Sequence, residues 1–198
     1  MNTERQKVTL TTDPGVLIKE LFHKTVPDEF LVVLNRHIID HHHSYGGVTP
    51  FFRGLIDGKL LGTQCHWIEC MVDNDAKILL PPRADCPDCW NDMEWVEIDT
   101  SKATIYSYSV AEYSGAGAKG SLPWPLISVE IPGVWTKFMS YLAEFGENEP
   151  YIGMPIKPVF RRENPTYTIL DIAWIPDDER IEKEEKKKTC CCSSCSCT

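Results

Sequence analysis

The chain has 198 residues, a formal net charge of −9 and 42% hydrophobic residues, so it can bury a real core. That length suits one full domain or two small ones. The acidic balance argues against a general affinity for nucleic acid or anionic membrane, both of which call for a basic surface.

No signal-peptide pattern precedes Asp13, and no apolar run approaches the roughly 20 residues of a membrane helix. A reducing cytoplasm is the expected compartment. The nine cysteines then read as metal ligands, not disulfides.

Residues 1–11 are polar. Thr12-Asp13-Pro14 has the form of a helix start, and Leu17, Ile18, Leu21 and Phe22 follow on one helical face. Pro27-Asp28-Glu29 opens a second helix with the stripe Phe30, Leu31, Leu34 and Ile38, ended by Gly46-Gly47. His37, His41, His42 and His43 near its end suggest either a second metal site or, more plainly, imidazoles favoured by a helix C-terminus. Thr49-Pro50 starts a third, short helix carrying Phe51, Phe52 and Leu55, stopped at Asp57-Gly58.

Two cysteine pairs follow. Cys65 and Cys70 are separated by four residues; after fifteen more come Cys86-Pro87-Asp88-Cys89. Close pairs separated by one hairpin's length present four sulfurs to a tetrahedral ion, and zinc is the expected metal. His66 leaves open a set in which it acts with Cys70. Four cysteine ligands leave no open position, so the metal folds the protein and does no chemistry.

Beyond the cysteines the period changes to two. Tyr106, Tyr108 and Val110 alternate with Ser107 and Ser109; Ile127, Val129 and Ile131 alternate with Ser128 and Glu130. Thr168, Leu170, Ile172 and Trp174 oppose Tyr167, Ile169, Asp171 and Ala173. These patterns predict half-buried strands. Ser114–Gly120 is a glycine-rich loop without phosphate-loop spacing, in which Lys119 is available to an anionic ligand. Val134–Phe145 fits helix or strand, and Ile152–Phe160 reads as a turn entering a strand with Pro158 at an edge. A strand set of this size usually closes as a small antiparallel barrel. Residues 177–198 lack apolar periodicity, end in five cysteines between Cys190 and Cys197, and are expected to be disordered.

The order Pro50-Phe51-Phe52-Arg53-Gly54-Leu55, Gly58-Lys59-Leu60, first cysteine pair, Pro81-Pro82-Arg83 before Cys86-Pro87-Asp88-Cys89, Glu94-Trp95 and Ile152-Gly153-Met154-Pro155 resembles a family of acyl-CoA-associated proteins. These join a rubredoxin-like zinc ribbon to an OB-fold, and the family was long known as a domain of unknown function. The resemblance covers roughly residues 49–176. It departs at the first knuckle, where the family usually has two residues between the cysteines. It implies helix plus zinc ribbon over 49–95 and an OB-type barrel over 96–176; with the helical extension over 1–48 and the tail over 177–198, which lie outside the resemblance, the expectation is a mainly β protein with N-terminal helices. The resemblance favours strand for Phe138–Phe145.

The resemblance also implies a partner. Members accompany thiolase-superfamily enzymes as non-catalytic subunits, some in anaerobic degradation of aromatic compounds, as with benzoylsuccinyl-CoA thiolases. The expectation is a hetero-oligomer that works on a coenzyme A thioester, with structural Zn2+ on Cys65, Cys70, Cys86 and Cys89. The catalytic groups belong to the partner, and this chain shows no nucleophile–base arrangement of its own. Phe51, Phe52, Leu55 and Trp124 are candidate partner contacts, although Phe51, Phe52 and Leu55 suit packing on the cysteine hairpin equally well. The alternatives are a single-strand nucleic-acid binder stacking bases on Tyr106, Tyr108 and Trp124, a free-standing acyl-CoA carrier or hydrolase, and a scaffold with other partners.

Overall fold

The computed structural model describes residues 6–7, 42–67, 70, 77–113 and 120–183. Most of the two expected N-terminal helices, with His37 and His41, and also Lys119 and the terminal cysteines, lie outside the described residues; residues 42–45, expected to continue the second helix up to Gly46, are not helical.

The short helix α1, Thr49–Asp57, follows a 3-10 turn, Gly46–Val48, and has Pro50 in its first turn. Its stop is built from Gly58, which takes φ +76° and donates its N–H to Gly54 O and Leu55 O. The left-handed backbone disfavours a side chain there, and a Cβ would make the Arg162 guanidinium, 2.0 Å from it, move aside. Phe51 and Leu55 point inward, where the apolar stripe meets the main core.

Strands β2 (Leu61–Gln64), β3 (Ile78–Leu79) and β4 (Glu94–Glu97) form an antiparallel sheet with β2 in the centre. Strands β5 (Thr104–Ala111), β6 (Trp124–Glu130) and β7 (Phe138–Tyr141) form a second antiparallel sheet. Phe138–Phe145 is extended, as β7 followed by β8 (Glu144–Phe145), and β8 pairs with β1 (Gln6–Lys7). Strands β9 (Ile156–Phe160) and β10 (Ile172–Pro176) pair antiparallel.

The described strands thus make four small sheets, and no closed barrel is found among them. Single bridges link them. Thr104 pairs with Pro155 at the entry to β9, and Leu142 pairs in parallel with Trp174 of β10.

Three expectations need correcting. First, Tyr106, Ser107, Tyr108, Ser109 and Val110 are all exposed, so the far half of β5 is not half-buried. A bulge between Ile105 and Ser107 shifts the register, and β5 then runs as the edge strand of its sheet, exposed while the facing Pro125, Ile127 and Ser128 of β6 stay buried. Second, β10 begins only at Ile172. Ile169–Asp171 is a 3-10 turn whose Leu170 N–H donates to the Thr168 side chain. Third, residues 178–183 are helical. Asp178 and Glu179 suit a helix N-terminus, Ile181 packs on the core, and Arg180 donates to Ala103 O.

The main core gathers Phe51 and Leu55 from α1, Leu60, Leu80 and Ile98 around the cysteine region, and Ile105, Ile127, Val129, Phe138, Met154, Ile156, Ile172 and Trp174 from the strands. A second, small cluster holds Cys65, Leu79, Cys86 and Met93, with Cys70 and Cys89 packed against it. Thr136 ties the two regions together: its hydroxyl accepts from Leu80 N–H at 2.9 Å and donates to Leu80 O at 2.7 Å.

Candidate metal centre

Cys65 leaves the end of β2, Cys70 follows a turn closed by its N–H to Trp67 O, and Cys86 and Cys89 come from the turn between β3 and β4. That turn is pinned at its neck: Cys86 N–H donates to Asn91 O, Met93 N–H to Ala84 O, and Trp90 N–H to Cys86 O, all at 2.9 Å.

The four sulfurs lie within 4.8 Å of one another. Cys65 and Cys89 are 3.6 Å apart, Cys70 and Cys86 3.5 Å. A tetrahedral ion bound to thiolates at about 2.3 Å sets its sulfurs about 3.8 Å apart, so the cluster is sized for such an ion. The electrostatics agree. Burial works to raise the Cys86 thiol, but backbone N–H groups of Cys89 and Asp88 and the thiols of Cys70 and Cys89 outweigh it and bring it down to about 7. Cys70 is pushed up to about 12, first by its hydrogen bond with Cys86 and then by burial. Burial also raises Cys65. Sulfurs this close resist losing all their protons unless a cation sits among them. The residues present fit a metal ion, and its role with four cysteine ligands would be to hold the two turns together.

His66 stands outside the set. Its Nε2 is 3.2 Å from Glu94 Oε2 and its side chain is half exposed, so the variant with His66 as a ligand is not realised. His42 and His43 are exposed, and His43 meets Tyr45 edge-on; among the described residues they join no metal-sized group.

Of the candidate contact residues, Phe51 and Leu55 are buried within the chain, the inward alternative already weighed, whereas Phe52 is half-buried and stacks on Tyr45. Trp124 is half-buried beside Tyr141, and Gly120 exists for it: a Cβ there would come 2.5 Å from the indole.

A polar centre that the sequence pattern concealed is Asp171, 1% exposed. Its Oδ1 accepts from the N–H and the hydroxyl of Thr166, both at 2.7 Å, while Oδ2 has no partner. It fastens the segment between β9 and β10, in which Asn164 and Tyr167 adopt positive φ. The only signal was Thr166-Tyr167-Thr168 ahead of an acid, which the strand alternation masked.

No protein-family model matches the sequence, and no curated protein does. Among solved structures, the chain superposes on one named Ltp2-ChsH2(DUF35) aldolase with a TM-score of 0.53 and 21% identity, over 69% of this chain and 98% of that one. It also superposes on a protein of unknown function from the DUF35 family of Sulfolobus solfataricus, with a TM-score of 0.49 and 22% identity, over 67% of this chain and 87% of that one. These structural neighbours are DUF35 proteins, and the likeness is one of fold.

Proposed function

We propose that this chain is a non-catalytic, zinc-binding companion subunit of a thiolase-superfamily enzyme acting on coenzyme A thioesters. The observation that carries the reading is the fold likeness to a DUF35 chain named together with an aldolase, spanning nearly all of that chain. The four-cysteine cluster supports zinc in a closed, structural role.

The order of strand contacts supports an OB-type body. β5, β6 and β7 are consecutive neighbours, β7 reaches β10 through Leu142 and Trp174, β10 pairs with β9, and β9 returns to β5 through Pro155 and Thr104. That order agrees with a partly open five-stranded Greek-key barrel, which supports the reading. In such barrels the loop after the first strand contacts ligands, which makes Lys119 a candidate for the anionic groups of coenzyme A. Phe52 and Trp124 remain candidate partner contacts. In its narrowest form the reading is a cytoplasmic partner of a thiolase of the benzoylsuccinyl-CoA type.

Co-expression with a thiolase-type protein from the same genome tests the reading. The two should co-elute as one hetero-oligomer in size-exclusion chromatography; separate elution at micromolar concentration contradicts it.

One observation favours a second reading, single-strand nucleic-acid binding: Tyr106 and Tyr108 are 52% and 45% exposed, as stacking platforms need to be. The net charge of −9 opposes it. A submicromolar dissociation constant for a mixed oligonucleotide at 150 mM salt would restore it.

A further inference from the structure

The turn that carries Cys86 and Cys89 closes through a left-handed residue flanked by the Trp90 N–H to Cys86 O and Cys86 N–H to Asn91 O bonds, but nothing within the described chain explains a bulky residue there. Trp90, directly after Cys89, has φ +61°. A bulky residue is a rare occupant of that conformation, and Asn91 beside it would take it more readily. The indole is nonetheless 77% exposed, and so gains little from burial. Trp67, two residues past Cys65, is 53% exposed. Since the Cys65 and Cys89 sulfurs are 3.6 Å apart, the two segments that carry these indoles meet at the cluster.

Beneath Trp90, Asp85 and Asp92 face each other across an antiparallel bridge. Directly opposed like charges destabilise a strand pair, and neither acid has an ion-pair partner among the described residues. The neighbouring acids are matched: Asp88 pairs with Lys77, and Glu94 with His66. Lys77 also lies over the Trp135 ring, so it is already engaged.

From this we infer that Trp90 and Trp67, with Asp85 and Asp92, form a docking surface for a protein partner that offers an apolar pocket edged by Lys or Arg. An indole held rigidly off a metal-fixed turn is a ready-made anchor, because little side-chain freedom is lost when it is buried. The two unpaired carboxylates supply the matching charge, which raises the encounter rate and fixes orientation. The acidity also excludes a nucleic-acid occupant. This surface deepens the companion-subunit reading and rests on it.

The test uses the full zinc-loaded chain and the co-expressed thiolase-type protein as probe. Trp90→Gly suits the left-handed backbone, so its zinc content should be unchanged and its thermal midpoint no lower than that of the unsubstituted chain. Its affinity for the partner should fall about tenfold or more, through faster dissociation. Asp85→Asn with Asp92→Asn should slow association and flatten its salt dependence. A fall in the midpoint of Trp90→Gly overturns the inference without any partner, since it shows that the indole serves the chain's own fold. Unchanged affinity of Trp90→Gly beside a tight unsubstituted complex overturns the surface alone. No complex with the unsubstituted chain overturns the companion reading and this surface with it.

Discussion

The cysteine tip and the strand body solve the same problem by different means. The body surrounds Trp174, Phe138, Ile127, Leu142 and Met154 with apolar neighbours until they are almost wholly buried. The tip has only Cys65, Leu79, Cys86 and Met93 in its buried cluster, and two of the four are sulfurs of the candidate metal site. A core that small does not offset the chain entropy of its own loops. Ligation to a metal would supply what burial lacks, and the difference shows why one region is read from hydrophobic period and the other from cysteine spacing.

The largest effect should come from taking the metal away. Structural zinc in isolated fingers contributes about 10–16 kcal/mol at neutral pH. Chelation or Cys86→Ser should therefore unfold the tip while the body strands keep their amide protection in hydrogen exchange. Elemental analysis of a chain ending at Lys183, which keeps the packed helix and removes the terminal cysteines, should find one zinc. Lowering the pH weakens binding, because the sulfurs bind the ion as thiolates and protons compete for them. A metal-free Cys86→Ser chain with a fully protected tip would break the comparison.

Next in size is the body. Trp174→Ala should cost about 3–5 kcal/mol and lower the denaturation midpoint, with zinc stoichiometry unchanged in the folded fraction. A loss of zinc from that folded fraction would show that the two regions are not separately held.

The join comes third. Thr136→Val removes the hydroxyl that serves both the N–H and the C=O of Leu80. It should cost about 1–3 kcal/mol, because both backbone groups lose their partner. Asp171→Ala should cost a similar amount by freeing the Thr166 groups, but with no effect on zinc affinity. Equal effects of the two substitutions on zinc release rates would argue against Thr136 as the particular tie.

Smallest of all, Tyr106→Ala on the exposed stretch of β5 should stay within about 0.5 kcal/mol in chemical denaturation. A large loss there would mean that this strand is covered after all.

Much of this was legible in the sequence, for physical reasons that differ from place to place. The sulfur cluster follows from two close cysteine pairs, since a metal imposes spacing on sequence. Helix α1 follows from Thr49-Pro50 and Asp57-Gly58, because caps are local chemistry. The inward packing of Phe51 and Leu55 was only half legible, as an apolar stripe does not say whether its cover is the same chain or another. The exposure of β5 was hidden because alternation records the two faces of a strand and not whether it lies at the edge of its sheet. Asp171 was hidden because a buried acid in a tight turn looks, in sequence, like the polar side of a strand. The left-handed Trp90 broke the usual glycine signal and left only Asn91 as a hint.

The central claim is that this chain completes an enzyme whose chemistry lies elsewhere. Its most direct test is steady-state turnover of an acyl-CoA substrate by the thiolase-type protein, measured alone, with this chain, and with this chain by itself. The account predicts full activity only when both are present and none from this chain. Full activity of the thiolase-type protein alone, or turnover by this chain alone, would contradict it.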